Sequence, residues 1–115
     1  MNKMPKDDLE FVRHIVEAIK LINAYTDKMN KKEFFDDKKT QDAVLREITV
    51  IGEAAKNVSE EFRKKTSYVE WRDLAAIRDI MVHQYFRVDL DKVWETIGDL
   101  PELKRKLDLL FKKNE

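Results

Sequence analysis

The chain has 115 residues, and its 23 Lys and Arg balance 23 Asp and Glu to a formal net charge of zero. The charged fraction of 40% far exceeds the roughly 25% of an average globular protein, but 43% of residues are hydrophobic, which is enough for a packed core. Two Gly, two Pro and no Cys exclude a strand-rich fold, a glycine-rich phosphate loop, a disulfide framework and a thiolate site. The balanced charge also argues against a protein that coats nucleic acid by bulk electrostatics.

The length predicts a single domain over residues 1–115. No apolar run approaches the roughly 18 residues that span a bilayer, and the first residues lack the apolar core of a signal peptide. We therefore expect a cytoplasmic protein with no membrane partner.

The spacing of apolar residues predicts a first helix over residues 7–27. Residues 28–39 are mainly polar. Within them, Asn30 and Glu33 have the spacing of a capping box and predict a short helical turn, and Phe34 and Phe35 are expected to seal one end of the core. A long second helix is predicted from Thr40 to about residue 65.

Gly52 lies in the middle of this second helix, where close contact between helices is favoured over a role facing a ligand. Residues 66–70 form a connector, and a third helix is predicted from Trp71 to about Tyr85. Asp89 is expected to cap a fourth helix. Gly98 is expected to end it, and Pro101 to begin a fifth.

These elements predict an all-α fold, an antiparallel up-and-down bundle of four or five helices with short connections. Trp71 and Trp94 are assigned to core or dimer packing. The basic run of residues 104–106 suits the negative end of the last helix dipole better than it suits contact with RNA.

Only one of the two histidines lies in a pattern that suggests chemistry. Neither His14 nor His83 follows a Glu by three residues, so a di-iron bundle site is rejected, and no metal site is predicted. His14 is interpreted as a surface or half-buried imidazole. His83 belongs to an Arg78-x4-His83-x-Tyr85 pattern.

In a regular helix Arg78 and Tyr85 share one face, whereas His83 lies about 140° around the axis from Arg78. The two groups can therefore meet only if the helix loosens near residues 82–85 or if a second copy of the chain completes the site. A twofold dimer that pairs the third helices is favoured, together with some loosening at the end of the helix.

Arginine and histidine suit attack by an RNA 2′-OH on the neighbouring phosphate. The guanidinium of Arg78 would stabilise the doubly negative phosphorane, and His83 would take or give the proton. Tyr85 would contact a phosphate or a base, and Asp79 would orient either partner. The structural alternative is that His83 and Tyr85 cap the helix while Arg78 pairs with Asp73 or Asp79.

Three stretches, residues 41–56, 71–86 and 88–94, resemble the HEPN superfamily, in particular the HepT-like ribonuclease toxins that are paired with MntA-like minimal nucleotidyltransferase antitoxins. The Arg-x4-His-x-Tyr signature of that family is complete at Arg78, His83 and Tyr85. This chain has Arg87 where relatives often have Gly, which adds a positive charge beside the site.

The resemblance implies a homodimeric helical bundle with its active cleft at the dimer interface. It implies an endoribonuclease that needs no metal or other cofactor, cleaves RNA and not DNA, and uses Arg78 and His83 as the catalytic pair. It also implies a cognate nucleotidyltransferase antitoxin that transfers AMP onto Tyr85. An adenylyl group there would add bulk and negative charge where an RNA phosphate should bind.

Glu53 is a secondary candidate, since a carboxylate on the second helix would hold Arg78 or His83 if it faced the third helix; a solvated or interface salt bridge is the alternative. Two functions follow. The first is a toxin ribonuclease, and the second is a non-catalytic helical dimer that binds a nucleotidyltransferase partner or a nucleotide. The complete motif favours the first, and the zero net charge favours the second.

Overall fold

The structure is a computed structural model that describes residues 6–82 and 87–113. Those residues contain seven helices: α1 (Lys6–Tyr25), α2 (Lys31–Phe35), α3 (Lys38–Asn57), α4 (Glu60–Lys65), α5 (Trp71–Ala75), α6 (Ile77–Met81) and α7 (Leu90–Lys113). Their only β pairing is a single antiparallel bridge between Val82 and Val88. The all-α prediction is confirmed, whereas the number of helices and several of their ends differ from prediction. None of the described helices has both the length and the apolarity needed to cross a membrane.

The core is built around α1 and α3, which pack along most of their length. Both helices bury residues at spacings of three and four, as the hydrophobic pattern predicted: Val12, Ile15, Ile19 and Ile22 on α1, and Val44, Ile48, Ile51 and Ala55 on α3. Helix α3 also contacts α2, α5 and α6, and α7 contacts α1, α2 and α6. Helix α3 is therefore the element against which three of the short helices, α2, α5 and α6, are positioned.

Two contacts fix the direction of the long helices. Asp8, near the start of α1, binds Ser59, which follows the end of α3. Arg13, also early in α1, lies with its guanidinium carbon 5.3 Å from the ring centroid of Phe111, near the end of α7. Helix α1 consequently runs antiparallel to both α3 and α7, as predicted.

The predicted capping box at the start of α2 is present. The Asn30 side chain accepts from the Glu33 N–H at 2.8 Å, and the Glu33 carboxylate accepts from the Asn30 N–H at 2.9 Å. Phe34 is fully buried, with its ring centroid 5.4 Å from that of the partly buried Trp94. The turn thus closes one end of the core, as expected from the sequence.

The single helix predicted from Thr40 to residue 65 is wrong, because α3 ends before Val58, whose backbone is extended. In a continuous helix the Ser59 N–H would donate to the Ala55 carbonyl. Instead it donates to the buried carboxylate of Asp8 at 2.7 Å, and the Ala55 carbonyl accepts from Nη2 of Arg63 at 2.8 Å. The helix can end here because side chains form hydrogen bonds with the backbone N–H and carbonyl groups that lose their partners within the helix.

The third predicted helix is also divided. The backbone at Ala76, with φ −98° and ψ 6°, separates α5 from α6, and α6 ends at Met81. Val82 is extended (φ −112°, ψ 115°) and forms the bridge with Val88. The predicted continuation to Tyr85 is therefore wrong at Val82, while the predicted loosening of the helix end is confirmed at that residue.

Helix α7 is continuous, so the predicted break at Gly98 and the predicted fifth helix from Pro101 are wrong. Asp89 caps it as predicted, accepting from the Lys92 N–H at 3.0 Å. Pro101 removes one N–H from the helix interior. The helix continues because its apolar stripe is buried on both sides of Pro101: Val93, Leu100, Leu107 and Leu110 are each at most 2% exposed.

Candidate functional site

Arg78 is positioned by a close approach between α3 and the α5–α6 junction. A Cβ placed on Gly52 would stand 3.4 Å from Cγ2 of Ile77 and 3.6 Å from the carbonyl oxygens of Leu74 and Ala75. The predicted role of Gly52 in close helix contact is therefore confirmed. Because α6 begins beside this contact, its second residue, Arg78, lies next to the surface of α3.

Arg78 lines a cleft of about 250 Å³ between α3 and the α5–α6 pair, which we call the Arg78 cleft. Its lining residues are Thr49, Gly52, Glu53, Lys56, Ala75, Arg78 and Asp79. Three of the five residues predicted from the sequence for the site, Glu53, Arg78 and Asp79, thus lie around one cleft.

The Arg78 guanidinium is open to a ligand. Its side chain is 44% exposed, and its one ion pair with a described residue is a 4.0 Å contact with the 70% exposed carboxylate of Asp79. That distance is at the limit of an ion pair, and exposed pairs of this kind contribute little. The alternative pairing with Asp73 is not observed, and the pairing with Asp79 is too weak to occupy the guanidinium.

Glu53 reaches the predicted place but has a different partner. Its carboxylate oxygen lies 3.6 Å from Nζ of Lys56, one turn further along α3. No ion pair joins it to Arg78 among the described residues. Glu53 lies at the predicted position facing the third predicted helix, but it does not hold Arg78. A hold on His83 lies outside the described residues, and the exposed pair with Lys56 is the solvated salt bridge given as the alternative.

His83 and Tyr85 lie outside the described residues, so their predicted roles stay predictions. The described residues on either side are joined to each other, since Val82 pairs with Val88 and the Asp89 N–H donates to the Met81 carbonyl at 2.8 Å. Because α6 ends before His83, the angle of 140° expected for a regular helix does not apply between Arg78 and His83.

Thr49 and Lys56 belong to the cleft but were not predicted for it. The signal was present in the sequence, since Thr49, Gly52, Glu53 and Lys56 recur at spacings of three and four and so share one helix face. The sequence does not show that this face, and not another, would lie against α6.

The other candidate groups behave as structural elements. The His14 side chain is 55% exposed, and its Nε2 lies 3.9 Å from a carboxylate oxygen of Glu10, as expected for a surface imidazole. Trp71 is 4% exposed and donates from Nε1 to the Thr66 hydroxyl at 3.0 Å, as expected for a core residue. In the basic run, Lys104 pairs with Asp108 and Arg105 with Glu102. Over the described part of the chain, no three His, Cys, Asp or Glu residues are grouped so that they could hold a metal ion.

The chain is similar in sequence to proteins that are named as ribonucleases. Residues 15–110 match the family model described as Ribonuclease HepT-like. A protein of Methanocaldococcus jannaschii named "Gamma-glutamylcyclotransferase and putative RNase" is 44% identical over 105 residues, which is 90% of this chain but 47% of the relative. The chain therefore spans just under half of that relative.

Other relatives match over nearly all of their length. The "Probable ribonuclease HepT" of Thermococcus cleftensis is 39% identical over 95% of this chain and 100% of the relative. A "Putative RNase" of Methanocaldococcus jannaschii is 39% identical over 97% of this chain and 94% of the relative. No solved structure gives a significant match. The family match and these full-length relatives confirm the predicted resemblance, and the chain belongs to the ribonuclease HepT-like family.

Proposed function

We propose that this chain is a metal-independent endoribonuclease that cleaves RNA at the Arg78 cleft. The 2′-oxygen of a ribose attacks the adjacent phosphorus, the bond from phosphorus to the 5′-oxygen breaks, and a 2′,3′-cyclic phosphate remains. A proton leaves the 2′-OH and one is delivered to the departing 5′-oxygen. His83 serves this proton transfer, and Arg78 stabilises the extra negative charge on the phosphorane. DNA, which lacks the 2′-OH, is not a substrate.

The observation that carries the proposal is the Arg78 guanidinium, which lines an open cleft and whose one ion pair with a described residue is a 4.0 Å contact. A guanidinium keeps its charge at any working pH and binds phosphate oxygens through two parallel hydrogen bonds. The complete Arg78-x4-His83-x-Tyr85 pattern supplies the proton-transfer group five residues away.

We propose further that the chain acts as a homodimeric toxin, with the cleft completed by a second copy. A nucleotidyltransferase antitoxin silences it by transferring AMP onto Tyr85. The modification would place a phosphodiester, with its negative charge, and a nucleoside near the residues that bind the scissile phosphate. Repulsion and steric exclusion of RNA follow from that placement.

The test is cleavage of RNA by the purified full chain in the presence of EDTA. We expect fragments ending in 2′,3′-cyclic phosphate, and no cleavage where the scissile ribose is 2′-deoxy. Arg78→Ala and His83→Ala should each lower the rate at least about a hundredfold, the scale of a lost transition-state donor or acid–base group.

Matched controls use the same residue types outside the cleft. His14→Ala and Arg105→Ala replace a surface imidazole and an ion-paired guanidinium, and they should leave the rate within about twofold of wild type. Metal-dependent cleavage, or equal losses in all four variants, would rule out this mechanism.

The regulatory part has its own test. The chain is co-expressed with a nucleotidyltransferase encoded beside it, and the tryptic peptide that contains Tyr85 is weighed by mass spectrometry. We expect the added mass of AMP on wild type and none on that peptide in Tyr85→Phe. AMP on another residue would contradict this assignment without affecting the cleavage reaction.

The zero formal net charge favours a second candidate, a non-catalytic dimer that binds the nucleotidyltransferase or a nucleotide. The cleavage assay separates the two functions. A chain that binds the nucleotidyltransferase but leaves RNA intact would support the second candidate and refute the first.

A further inference from the structure

A second cavity, of about 640 Å³, lies where α3 and α4 end and α5 begins. Four cationic residues line it, Lys56, Arg63, Lys64 and Arg72, against one acidic residue, Glu60. We call this surface the basic groove. Its lining carries a formal charge of +4 − 1 = +3, in a chain whose net charge is zero. The lining of the groove therefore has a local excess of positive charge.

The cations of the basic groove are weakly neutralised. The Arg72 guanidinium makes no hydrogen bond or ion pair with any residue in 6–82 or 87–113, and the residue is exposed. Nζ of Lys64 lies 3.8 Å from a carboxylate oxygen of Glu60, and Nζ of Lys56 lies 3.6 Å from a carboxylate oxygen of Glu53, so both ion pairs are long. Elsewhere on the surface, Lys32 and Lys38 pair with carboxylates at 2.7 Å. An anionic ligand would thus meet charges that remain available to it.

Arg63 adds an unsatisfied donor. Its Nη2 is held by the Ala55 carbonyl at 2.8 Å, which fixes the guanidinium in place. Its Nε is buried and has no acceptor among the described residues. A buried donor without an acceptor costs free energy. Because solvent does not reach this Nε, a phosphate in the groove would contact Arg63 through other atoms of its guanidinium.

The basic groove is continuous with the site of the proposed reaction, because Lys56 lines both the groove and the Arg78 cleft. A strand bound at Arg78 can therefore extend past Lys56 toward Arg72. The cleft carries Glu53 and Asp79 beside its two cations, so the excess of positive charge begins in the groove. The one aromatic residue in the lining, Trp71, is 4% exposed and offers no face on which a base could stack. The groove suits phosphates rather than bases.

We propose that the basic groove binds the phosphates of single-stranded RNA on one side of the scissile bond, independently of base sequence. This inference rests on the proposed function, which brings RNA to the Arg78 cleft. The groove would supply affinity and hold the strand in line, while Arg78 and His83 act on the scissile phosphate.

Helix dipoles give part of the pattern another explanation. Lys56 lies in the last turn of α3, and Arg63 and Lys64 in the last turn of α4, where cations are stabilised without any ligand. Arg72 also falls in the last turn of its helix, but α5 has only five residues and Arg72 is the second of them, so the dipole gives it little stabilisation. The dipole explanation does not cover the unpaired Nε of Arg63. An acidic protein surface is the other occupant that the charge permits, but it does not use the continuity with the Arg78 cleft.

The test compares two double variants that remove the same charge. Lys64→Gln/Arg72→Gln alters the basic groove, whereas Lys65→Gln/Arg105→Gln alters the next residue of α4 and an arginine of α7, neither of which lines the groove. The probe is a fluorescein-labelled 2′-O-methyl RNA of mixed sequence, which lacks the attacking 2′-OH. Its binding is followed by fluorescence anisotropy over a series of salt concentrations.

We expect the groove variant to bind the probe about tenfold more weakly at roughly 0.1 M salt. The slope of log affinity against log salt should fall by about 1.4, since each phosphate contact to a single strand contributes about 0.7. The control variant should stay within about twofold of wild type. A second probe of different sequence should show the same loss, because phosphate contacts carry no sequence information.

Wild-type affinity in the groove variant, or an equal loss in the control, would overturn the inference. Thermal unfolding by circular dichroism checks that both variants fold. Arg72→Gln alone, at an exposed position, provides a milder test with an expected fall in slope of about 0.7. Normal RNA binding combined with lost adenylylation by the nucleotidyltransferase would instead assign the groove to a protein partner.

Failure of the inference and failure of the proposed function are distinguishable. If wild type binds the uncleavable probe through the groove but cleaves no unmodified RNA, the proposed cleavage reaction is wrong and the proposed RNA binding by the groove is supported. If wild type cleaves RNA and the groove variant binds and cleaves like wild type, only the groove is wrong. If wild type does not bind the probe, the groove is refuted whatever the cleavage assay shows.

Discussion

The buried carboxylate of Asp8 accepts two hydrogen bonds from Ser59, one from the backbone N–H and one from the hydroxyl, both at 2.7 Å. Asp8 is 2% exposed, and the two residues are 51 positions apart in the chain. This contact ties the start of α1 to the junction between α3 and α4. It therefore fixes the end of the helix that carries Glu53 and Lys56.

We expect Asp8→Ala to lower the free energy of unfolding by about 1–3 kcal/mol, because it leaves the partly buried N–H and hydroxyl of Ser59 without their charged acceptor. Urea denaturation measures the change. Asp7→Ala is the matched control: Asp7 is the exposed neighbour in the same first turn, and its loss should cost less than about 1 kcal/mol.

A double-mutant cycle with Ser59→Ala checks that the effect belongs to this pair. The hydroxyl of Ser59 also caps α4 by accepting from the Phe62 N–H at 3.1 Å, so Ser59→Ala is destabilising by itself. The two losses should be clearly less than additive. Full additivity would show that Asp8 stabilises the fold by some other contact.

The two glycines should respond in opposite ways to the same substitution. Gly52→Leu is expected to destabilise the protein by about 1–3 kcal/mol, because α3 passes too close to Ile77 for a larger side chain. Gly98→Leu should be neutral or stabilising by up to about 1 kcal/mol, since nothing lies within 4 Å of its Cβ position and α7 gains helix propensity. Thermal and urea unfolding provide the comparison.

Gly52→Leu should also slow RNA cleavage, because Arg78 is carried by the element that would be displaced. Gly98→Leu should leave cleavage unchanged. An unaltered stability in Gly52→Leu would mean that α5 and α6 can move away from α3 at little cost.

Asp37 makes the stability of the fold depend on pH in the acidic range. It caps α3, and the backbone N–H and the hydroxyl of Thr40 hold the pKa of its carboxyl below the usual 3.8. A carboxyl whose pKa is lower in the folded state stabilises the protein above its unfolded pKa, and this contribution is lost as the pH falls through the folded pKa. Stability should therefore decline in acid, and Asp37→Asn should flatten part of that decline.

NMR titration of the Asp37 carboxyl measures the shift directly. Thr40→Ala removes the hydroxyl donor but keeps the backbone donor, so the pKa of Asp37 should rise part of the way back toward its usual value. An unchanged pKa in Thr40→Ala would show that the hydroxyl of Thr40 does not contribute to the shift.

Glu53 is expected to act as a positioning residue. Its carboxylate lines the Arg78 cleft and pairs with Lys56, so it influences how cationic groups are arranged around the scissile phosphate. Glu53→Gln should lower kcat for RNA cleavage about tenfold, a scale typical of small losses of alignment, while KM changes by less than about twofold.

Glu47→Gln is the control, since Glu47 lies on the same helix but does not line the cleft. A change in KM alone would indicate that Glu53 affects RNA binding through charge. Equal kcat values in wild type and Glu53→Gln would show that Glu53 has no positioning role in the reaction.

Local patterns in the sequence were sufficient for several elements. The capping box of Asn30 and Glu33 and the cap at Asp89 were predictable because each bond joins residues three positions apart. The buried stripes of α1 and α3 followed from helical periodicity. The break at Ser59 was not predictable, since it depends on a carboxylate 51 residues away. The continuity of α7 through Gly98 and Pro101 likewise depends on burial against other helices.

By itself the sequence determined the all-α class, the faces that each long helix buries, the Arg78-x4-His83-x-Tyr85 pattern and the family. Those properties follow from residue type and from spacing along the chain. Only the tertiary structure decided that Thr49, Glu53 and Lys56 lie beside Arg78, and that Lys56 joins this cleft to the basic groove. Periodicity tells which residues share a helix face, but the neighbour of that face is chosen by packing between elements distant in sequence.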